Sequence, residues 1–148
     1  MSDATAGESP SGRLRVLVYS SNAATRAQVR SAVGTRPDPA LGDIEYVEIA
    51  TAAVVIEHMD AGGAALAILD GESSPVGGLG LAKQLKDEIA DCPPVLVLIG
   101  RPDDAWLADW SRAEAAVPHP LDPIRLGRAV VDLLRQRSVH DAGISRSR

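Results

Sequence analysis

The chain has 148 residues, 45% of them apolar, and a net charge of −5, which fits one soluble globular domain. This acidic balance argues against a general nucleic-acid binder, which needs a basic face against phosphates. The single Cys92 excludes an internal disulfide and a multi-cysteine metal site. No apolar stretch reaches the roughly 20 residues that cross a bilayer, and no signal-peptide pattern opens the chain. We therefore expect a cytoplasmic protein.

Strand-like and helix-like segments alternate between two polar ends. Residues 1–12 are predicted to be a disordered tail and residues 138–148 a flexible basic tail, which leaves 13–137 as the domain. The predicted elements, in chain order, are strand Arg15–Tyr19, helix Ala23–Val33, strand Ile44–Ile49, helix Ala52–Asp60, strand Ala65–Leu69, helix Leu79–Ala90, strand Val95–Ile99, helix Asp104–Ala113, strand Ala115–Val117 and helix Pro123–Gln136. Five strand-then-helix units predict an α/β fold with a doubly wound parallel sheet.

Smaller signals support this layout. The runs "VLV", "ALAIL" and "VLVLI" are apolar without alternation, as in strands that are covered on both faces. Asn22 is placed to cap the first helix and Asp122 to cap the last. Pro118 in the fifth strand fits only an edge strand. The connection "TRPDPALGD", residues 35–43, is long for such a unit and predicts an ordered surface excursion.

A ligand site in such a sheet lies beyond the carboxyl ends of the strands, near the point where the strand order reverses. With the order 2-1-3-4-5, the side chains delivered there are Ser20, Ser21, Asp70, Ile99 and His119. The motif Gly-x-Gly-x-x-Gly is absent, and "GGLGLAK" lacks the Gly-Lys-Ser/Thr of a phosphate loop. A hydrolytic triad of Ser21, Asp70 and His119 has no motif support. We therefore predict no catalytic residues and no enzyme.

The order and spacing of these segments resemble the receiver domain of two-component response regulators, the CheY-like family, over about residues 13–136. "VLVYSSNAATR" resembles the family's first strand, acidic pair and first helix, and "AILDGESSPVGGLGLAKQL" resembles the phosphoacceptor strand with its loop and helix. "PPVLVLIG" resembles strand four, and "VPHPLDPIRLGRAV" resembles strand five, the Lys-Pro motif and helix five. The resemblance implies a flavodoxin-like (βα)5 fold, Asp70 as phosphoacceptor, Gly78 as the loop glycine and a cis bond before Pro120.

The chain departs from the family at most of its hallmark positions. The replacements are Ser20 and Ser21 at the acidic pair, Ile99 at the switch Ser/Thr, His119 at the lysine and Ala116 at the switch aromatic. Forming an acyl phosphate needs Mg²⁺ to neutralise the phosphoryl group, and Mg²⁺ prefers oxygen ligands that include carboxylates. Two serine hydroxyls carry no charge, so we expect no bound metal and no cofactor.

Two acidic residues each keep two interpretations. Asp70 is either a vestigial acceptor of hydrogen bonds from Ser20, Ser21 and nearby backbone N–H groups, or a true phosphoacceptor. Glu72 either turns inward to form a carboxylate pair with Asp70, or it is a solvated acid of the loop.

The resemblance also implies where partners bind. In this family helix four, strand five and helix five contact partners, and here that region contains the candidate partner face Trp106, Trp110 and Leu121. The two tryptophans lie four residues apart on one helical face. We expect at least one of them in the core of this Phe-free chain, the alternative being an exposed binding hot spot.

No output domain follows the last predicted helix, so the leading hypothesis is a lone, atypical receiver, an orphan pseudoreceiver that acts through protein contacts. Its composition is similar to that of actinobacterial receivers that sit alongside respiratory complex I. This implies such an assembly as partner, on the cytoplasmic side of the inner membrane and without bilayer insertion, with a homodimer as a second expectation. A phosphorylation switch served by a histidine kinase and a small-ligand sensor are the competing hypotheses. No nucleic-acid partner is expected.

Overall fold

The computed structural model describes residues 7–9, 12–101 and 104–146, with side chains as far as residue 137. Its elements, in chain order, are β1 (Leu14–Tyr19), α1 (Ala23–Val33), β2 (Ile44–Ile49), α2 (Ala52–Asp60), β3 (Leu66–Asp70), α3 (Gly78–Glu88), β4 (Val95–Ile99), α4 (Ala105–Trp110), β5 (Ala115–Pro118) and α5 (Pro123–Arg146). The strands pair in parallel in the order β2-β1-β3-β4-β5. The predicted fold class and strand order are therefore confirmed.

The sheet divides the core into two layers. Alternate residues of β1 face opposite sides, so Val16 and Val18 pack with α1 and α5, while Leu17 and Tyr19 pack with α2, α3 and α4. β3 and β4 are buried along their whole length. This double coverage explains why their sequences are apolar without alternation.

The predicted caps and the edge strand are also present. The Asn22 side chain accepts a hydrogen bond from the Ala24 N–H at 2.9 Å, and that of Asp122 accepts one from the Ile124 N–H at 3.0 Å. β5 lies at the edge of the sheet, where Pro118 removes no interior ladder bond.

Some helix bounds differ from the prediction. α4 is only six residues long, because Arg112 takes a left-handed backbone conformation that ends the helix before Ala113. α3 ends at Glu88, where the backbone of Ile89 becomes extended. α5 continues to Arg146 over the region predicted as a flexible tail, since no proline interrupts it.

The predicted N-terminal tail is wrong for residues 7–9; residues 1–6, 10 and 11 lie outside the described residues. Glu8 forms an antiparallel bridge with Leu14, and the Gly7 carbonyl accepts from the Arg15 N–H at 2.8 Å. Gly7 has φ of +88°, and a Cβ there would lie 2.6 Å from the Ala65 backbone nitrogen. This segment is ordered because a glycine allows it to pack directly on the sheet backbone.

Within the described ranges, no helix combines the length and the apolar character needed to cross a membrane.

Candidate functional site

Asp70 is the buried centre of the candidate site. It is the last residue of β3, and only 3% of its surface is exposed. Its Oδ2 accepts a hydrogen bond from the Ser20 hydroxyl at 2.8 Å, and its Oδ1 accepts one from the Glu72 N–H at 3.0 Å. His119 Nε2 lies 3.3 Å from the same Oδ1. Both carboxylate oxygens therefore have partners within the chain.

Ser20 and Ser21 point in opposite directions, so only one of them reaches Asp70. Ser20 is fully buried, and its hydroxyl oxygen also accepts from the Asn22 N–H at 3.0 Å. Ser21 is exposed, and its hydroxyl accepts from the Ser74 N–H at 3.2 Å. The prediction of a bond from Ser21 to Asp70 is therefore wrong, because consecutive residues leaving a strand alternate in direction.

Ser21, Ser73 and Ser74 form what we call the serine clasp, which joins the loop after β1 to the loop after β3. The Ser21 N–H donates to the Ser73 hydroxyl at 3.0 Å, in addition to the bond from Ser74 to Ser21. These two loops are about 50 residues apart in the sequence, so the clasp fixes them relative to each other.

The buried Tyr19, at the end of β1, also holds the loop that follows β3. The Tyr19 hydroxyl donates to the Val76 carbonyl at 2.6 Å, and burial raises the pKa of Tyr19, with a smaller contribution from the charge of Asp70. Gly78 closes the loop against β3, because a Cβ there would lie 2.7 Å from the Asp70 and Leu69 carbonyl carbons. The structure thus gives a steric reason for a glycine at this position.

The Glu72 side chain extends toward Gly100, the residue that follows β4. It is exposed, and its carboxylate lies over Gly100, where an added Cβ would sit 1.9 Å from Oε1. No group of three or more His, Cys, Asp or Glu side chains that could hold a metal ion forms among the described residues. The interpretation of Glu72 as a solvated loop acid agrees with this geometry.

The positions of the family's switch residues are apolar. Ile99 is buried at the end of β4, and Ala116 on β5 packs against the same hydrophobic cluster, which also contains Tyr19. The His119 N–H donates to the Ile99 carbonyl at 2.8 Å, and the His119-Pro120 bond is cis, as expected. Neither Ile99 nor Ala116 has a polar atom in its side chain that could respond to a group on Asp70.

The candidate partner face differs from its prediction in two ways. Trp106 and Trp110 are 66% and 51% exposed, so the expectation that at least one lies in the core is wrong. Leu121 is only 6% exposed and packs with α5 in the core, so it does not belong to a surface. The reason is that the short α4 turns Ala108 toward the sheet, which leaves Trp106 and Trp110 on the outer side.

Sequence reasoning missed three residues that build the site: Tyr19, Ser73 and Arg26. The Arg26 guanidinium donates to the Ser20 carbonyl at 2.6 Å and also to Glu48 at 3.2 Å. The run of Ser73 and Ser74 after Asp70 was the available signal for the serine clasp. No local signal marks Tyr19 or Arg26, because each reaches its partner only through the folded chain.

A buried aspartate at the end of β3, in a five-stranded sheet of this order, is the arrangement of a receiver domain. Solved structures with this fold include a CheY-like receiver domain from Methanospirillum hungatei (TM-score 0.64, 16% identity, 85% of this chain and 97% of that one). A two-component transcriptional regulator AraC from Clostridium phytofermentans is also similar (TM-score 0.70, 19% identity, 87% of this chain and 98% of that one). No protein-family profile matches the chain.

Relatives of higher sequence identity show the family of the chain as well as its fold. An uncharacterized response regulatory protein, found in two strains of Mycobacterium tuberculosis, is 66% identical over 122 residues, which cover 82% of this chain and 92% of the relative. The chain therefore belongs to the response regulator family, as a receiver domain.

Proposed function

We propose that this receiver domain is a pseudoreceiver, a regulatory protein-interaction module that works without Mg²⁺-dependent phosphorylation of Asp70. The observation that supports this best is the hydrogen bond from the Ser20 hydroxyl to Asp70 Oδ2 at 2.8 Å. The Ser20 hydroxyl, a hydrogen-bond donor, thus occupies the position at which the family has a second carboxylate.

The donor set around Asp70 does not fit a magnesium ion. Mg²⁺ requires an octahedral set of oxygen ligands and is usually held by carboxylates. Here both Asp70 oxygens already accept hydrogen bonds, Oδ2 from the Ser20 hydroxyl and Oδ1 from the Glu72 N–H. Because the buried Asp70 carboxylate is already hydrogen-bonded, a metal ion that displaced those bonds would stabilise it little further.

The serine clasp supports a site that needs no ion for its order. Direct hydrogen bonds among Ser21, Ser73 and Ser74 already join the two loops that flank Asp70. Ile99 adds to the same conclusion, since its apolar side chain cannot donate to a phosphoryl oxygen.

The test is a phosphorylation assay on the full chain with Mg²⁺ and acetyl phosphate, read by intact mass. We expect no phosphoryl adduct on the wild type. A variant that restores the family residues, Ser20→Asp with Ser21→Asp, Ile99→Thr and His119→Lys, serves as the matched positive control. An adduct on the wild type that disappears in Asp70→Asn would refute the proposal.

That refuting result would establish the alternative, a phosphorylation-competent receiver that uses Asp70. The observation in its favour is His119, whose Nε2 lies 3.3 Å from Asp70 Oδ1 and carries a positive charge when protonated. Repeating the assay on His119→Ala tests the role of this histidine. An adduct that forms on the wild type and is lost in His119→Ala would assign His119 the role of the family's lysine.

A pseudoreceiver that acts through protein contacts requires a protein partner. Respiratory complex I on the cytoplasmic side of the membrane stays a prediction, as does a homodimer, and the exposed Trp106 and Trp110 supply an aromatic surface for either. We expect the tagged chain to co-purify from native cells with subunits of one large assembly, and the Trp106→Ala, Trp110→Ala double variant to reduce the yield. Recovery of a free monomer alone would contradict both partners.

A further inference from the structure

The two edges of the sheet differ in how they are protected against a further strand. β5, at one edge, is four residues long and ends in Pro118, which has no backbone N–H to donate. β2, at the other edge, is six residues long and contains no proline, glycine or lysine. Edge strands without such features are the ones that pair with another chain. The outer edge of β2 is therefore a candidate interaction surface.

The hydrogen bonds between β1 and β2 show which backbone groups of β2 face outward. The Ser20 N–H donates to the Ile49 carbonyl at 3.2 Å, and the two strands are parallel. Because the backbone groups of a strand alternate in direction, the odd-numbered residues of β2 bond to β1. The even-numbered residues Ile44, Tyr46 and Glu48 therefore direct their N–H and C=O groups away from β1.

This outer edge is occupied at one end only. The Ile44 N–H donates to the Thr35 carbonyl at 2.8 Å. In the part of the chain that the structure describes, the backbone groups of Tyr46 and Glu48 form no hydrogen bond. The Tyr46 side chain turns toward α1, where its hydroxyl donates to the Gly34 carbonyl. Two outward-facing residues thus leave their N–H and C=O groups for a further strand.

A second copy of the chain matches these backbone groups in one antiparallel register. In a symmetric pair centred on Val47, Tyr46 of each copy lies opposite Glu48 of the other, and these residues exchange both backbone bonds. The half-buried Val47 side chains of the two copies then face each other. A pair centred on Tyr46 would need the Ile44 N–H, which Thr35 already occupies. A pair centred on Glu48 would place two carboxylates opposite each other, which is unfavourable.

The side chains beside this edge are complementary in charge to the same register. A pocket of about 310 Å³ lies next to Tyr46 and is lined by Arg30, Ser31 and Thr35. Arg30 donates to Glu48 of its own chain through Nη1 at 2.7 Å, and its side chain is still 53% exposed. Glu48 of a second copy, lying opposite Tyr46, would place its carboxylate beside the other N–H groups of Arg30 and the two hydroxyls.

We propose that the chain forms a symmetric dimer in which the outer edges of β2 pair in antiparallel fashion, centred on Val47, and join the two five-stranded sheets into one. α4 contacts β4 and β5, at the far side of the sheet, so Trp106 and Trp110 stay available to a different partner. This inference rests on the proposed function only in treating the chain as an interaction module; it does not depend on the state of Asp70.

A disulfide at the two-fold axis tests the register. Val47 bonds toward β1, so in this pair the Cα atoms of the two Val47 residues lie about 4.5 Å apart, within the range that a disulfide bridges. We expect Val47→Cys, made in the Cys92→Ser chain so that no other thiol is present, to form a covalent dimer on mild oxidation. Glu45→Cys in the same background is the matched control on the same strand and face. Its two thiols would be about 14 Å apart, so it should stay monomeric on a denaturing gel.

Sedimentation equilibrium measures the dimer without a cross-link. The wild type should reach twice the chain mass of 15.5 kDa. Val47→Lys places two like charges opposite each other and should raise the Kd of the dimer on the order of tenfold. Val54→Lys is the matched control, because Val54 is exposed on α2 and away from the edge; its Kd should be unchanged.

Several results would overturn this proposal. These are a wild type that sediments as a monomer, a covalent dimer that forms equally from Glu45→Cys, or a Kd that Val47→Lys leaves unchanged while circular dichroism confirms the fold. A dimer that is lost in the Trp106→Ala, Trp110→Ala double variant and kept in Val47→Lys would assign it to the tryptophans instead. A phosphoryl adduct on Asp70 with an intact dimer would refute the pseudoreceiver alone, and a monomer without an adduct would refute the dimer alone.

Discussion

Replacing Ser20 by aspartate tests the central claim that a hydrogen-bonded serine substitutes for a metal-binding carboxylate. The Ser20 hydroxyl lies 2.8 Å from Asp70 Oδ2, and both residues are buried. Ser20→Asp would remove this bond and place two carboxylates side by side. We expect the variant to be strongly destabilised in the absence of divalent ions and to recover when Mg²⁺ is added.

Two estimates limit the loss of unfolding free energy in Ser20→Asp. Two unit charges about 4 Å apart repel by about 4 kcal/mol at an effective dielectric constant of about 20. At pH 7 the pair can instead take up one proton, which limits the cost to about 4 kcal/mol. We therefore expect the unfolding free energy to fall by about 3–4 kcal/mol, a large part of the roughly 5–15 kcal/mol that holds a domain of this size folded.

Urea denaturation followed by circular dichroism, with and without Mg²⁺, measures both parts of this prediction. Ser21→Asp is the matched control, because Ser21 is exposed and bonds to Ser74 instead of Asp70. Its stability should change by no more than about 0.5 kcal/mol. The wild type should show no response to Mg²⁺.

Two results would refute the reasoning. If Ser20→Asp were as stable as the wild type without metal, the buried serine would not be compensating for a lost charge. If Mg²⁺ stabilised the wild type as much as the variant, the site would bind the ion in spite of its serines.

Three further predictions concern the loop after β3, the carboxylate of Asp38 and the thiol of Cys92. Tyr19→Phe removes the hydroxyl that donates to the Val76 carbonyl, so we expect a loss of about 1 kcal/mol and faster amide exchange in residues 71–77; unchanged exchange would contradict the role of this bond. The pKa of Asp38 is lowered, so the stability advantage of the wild type over Asp38→Asn is complete above the ordinary aspartate pKa of about 3.9 and shrinks as the pH falls through the lowered value. Denaturation from pH 2 to pH 7 measures this difference, and a pH-independent gap would count against it. Burial raises the pKa of the Cys92 thiol, so labelling by an aromatic disulfide near pH 8 should be slow until the protein unfolds, and immediate reaction in the folded state would disprove this.

Local patterns were sufficient for most of the fold. The bounds of α1, α2, β2 and β4 match their predictions, because caps and apolar runs act within a few residues of the chain. The parallel sheet follows from the alternation of elements and the edge position of β5 from Pro118, whereas the strand order is the one that the resemblance to the family implies. Helix ends such as that of α4 did not follow, since the left-handed backbone of Arg112 has no sequence signal.

Side-chain directions were the weaker part of the prediction. Helical spacing placed Trp106 and Trp110 on one face but could not say which face the sheet would cover. The same uncertainty applied to Leu121, which the core absorbs, and to Ser21, which turns away from Asp70. Each of these depends on how an element is rotated against its neighbours, which is a property of the packed molecule.

The sequence by itself determined that the acidic pair is lost, because Ser20 and Ser21 follow β1 in any register that buries the strand. Only the tertiary structure decided what replaces it. The serine clasp joins residues 52 positions apart, and the ion pair between Asp38 and Arg135 joins residues 97 positions apart. Such contacts depend on the crossovers that bring distant loops together, and these crossovers are stabilised by burial of the whole sheet rather than by any local pattern.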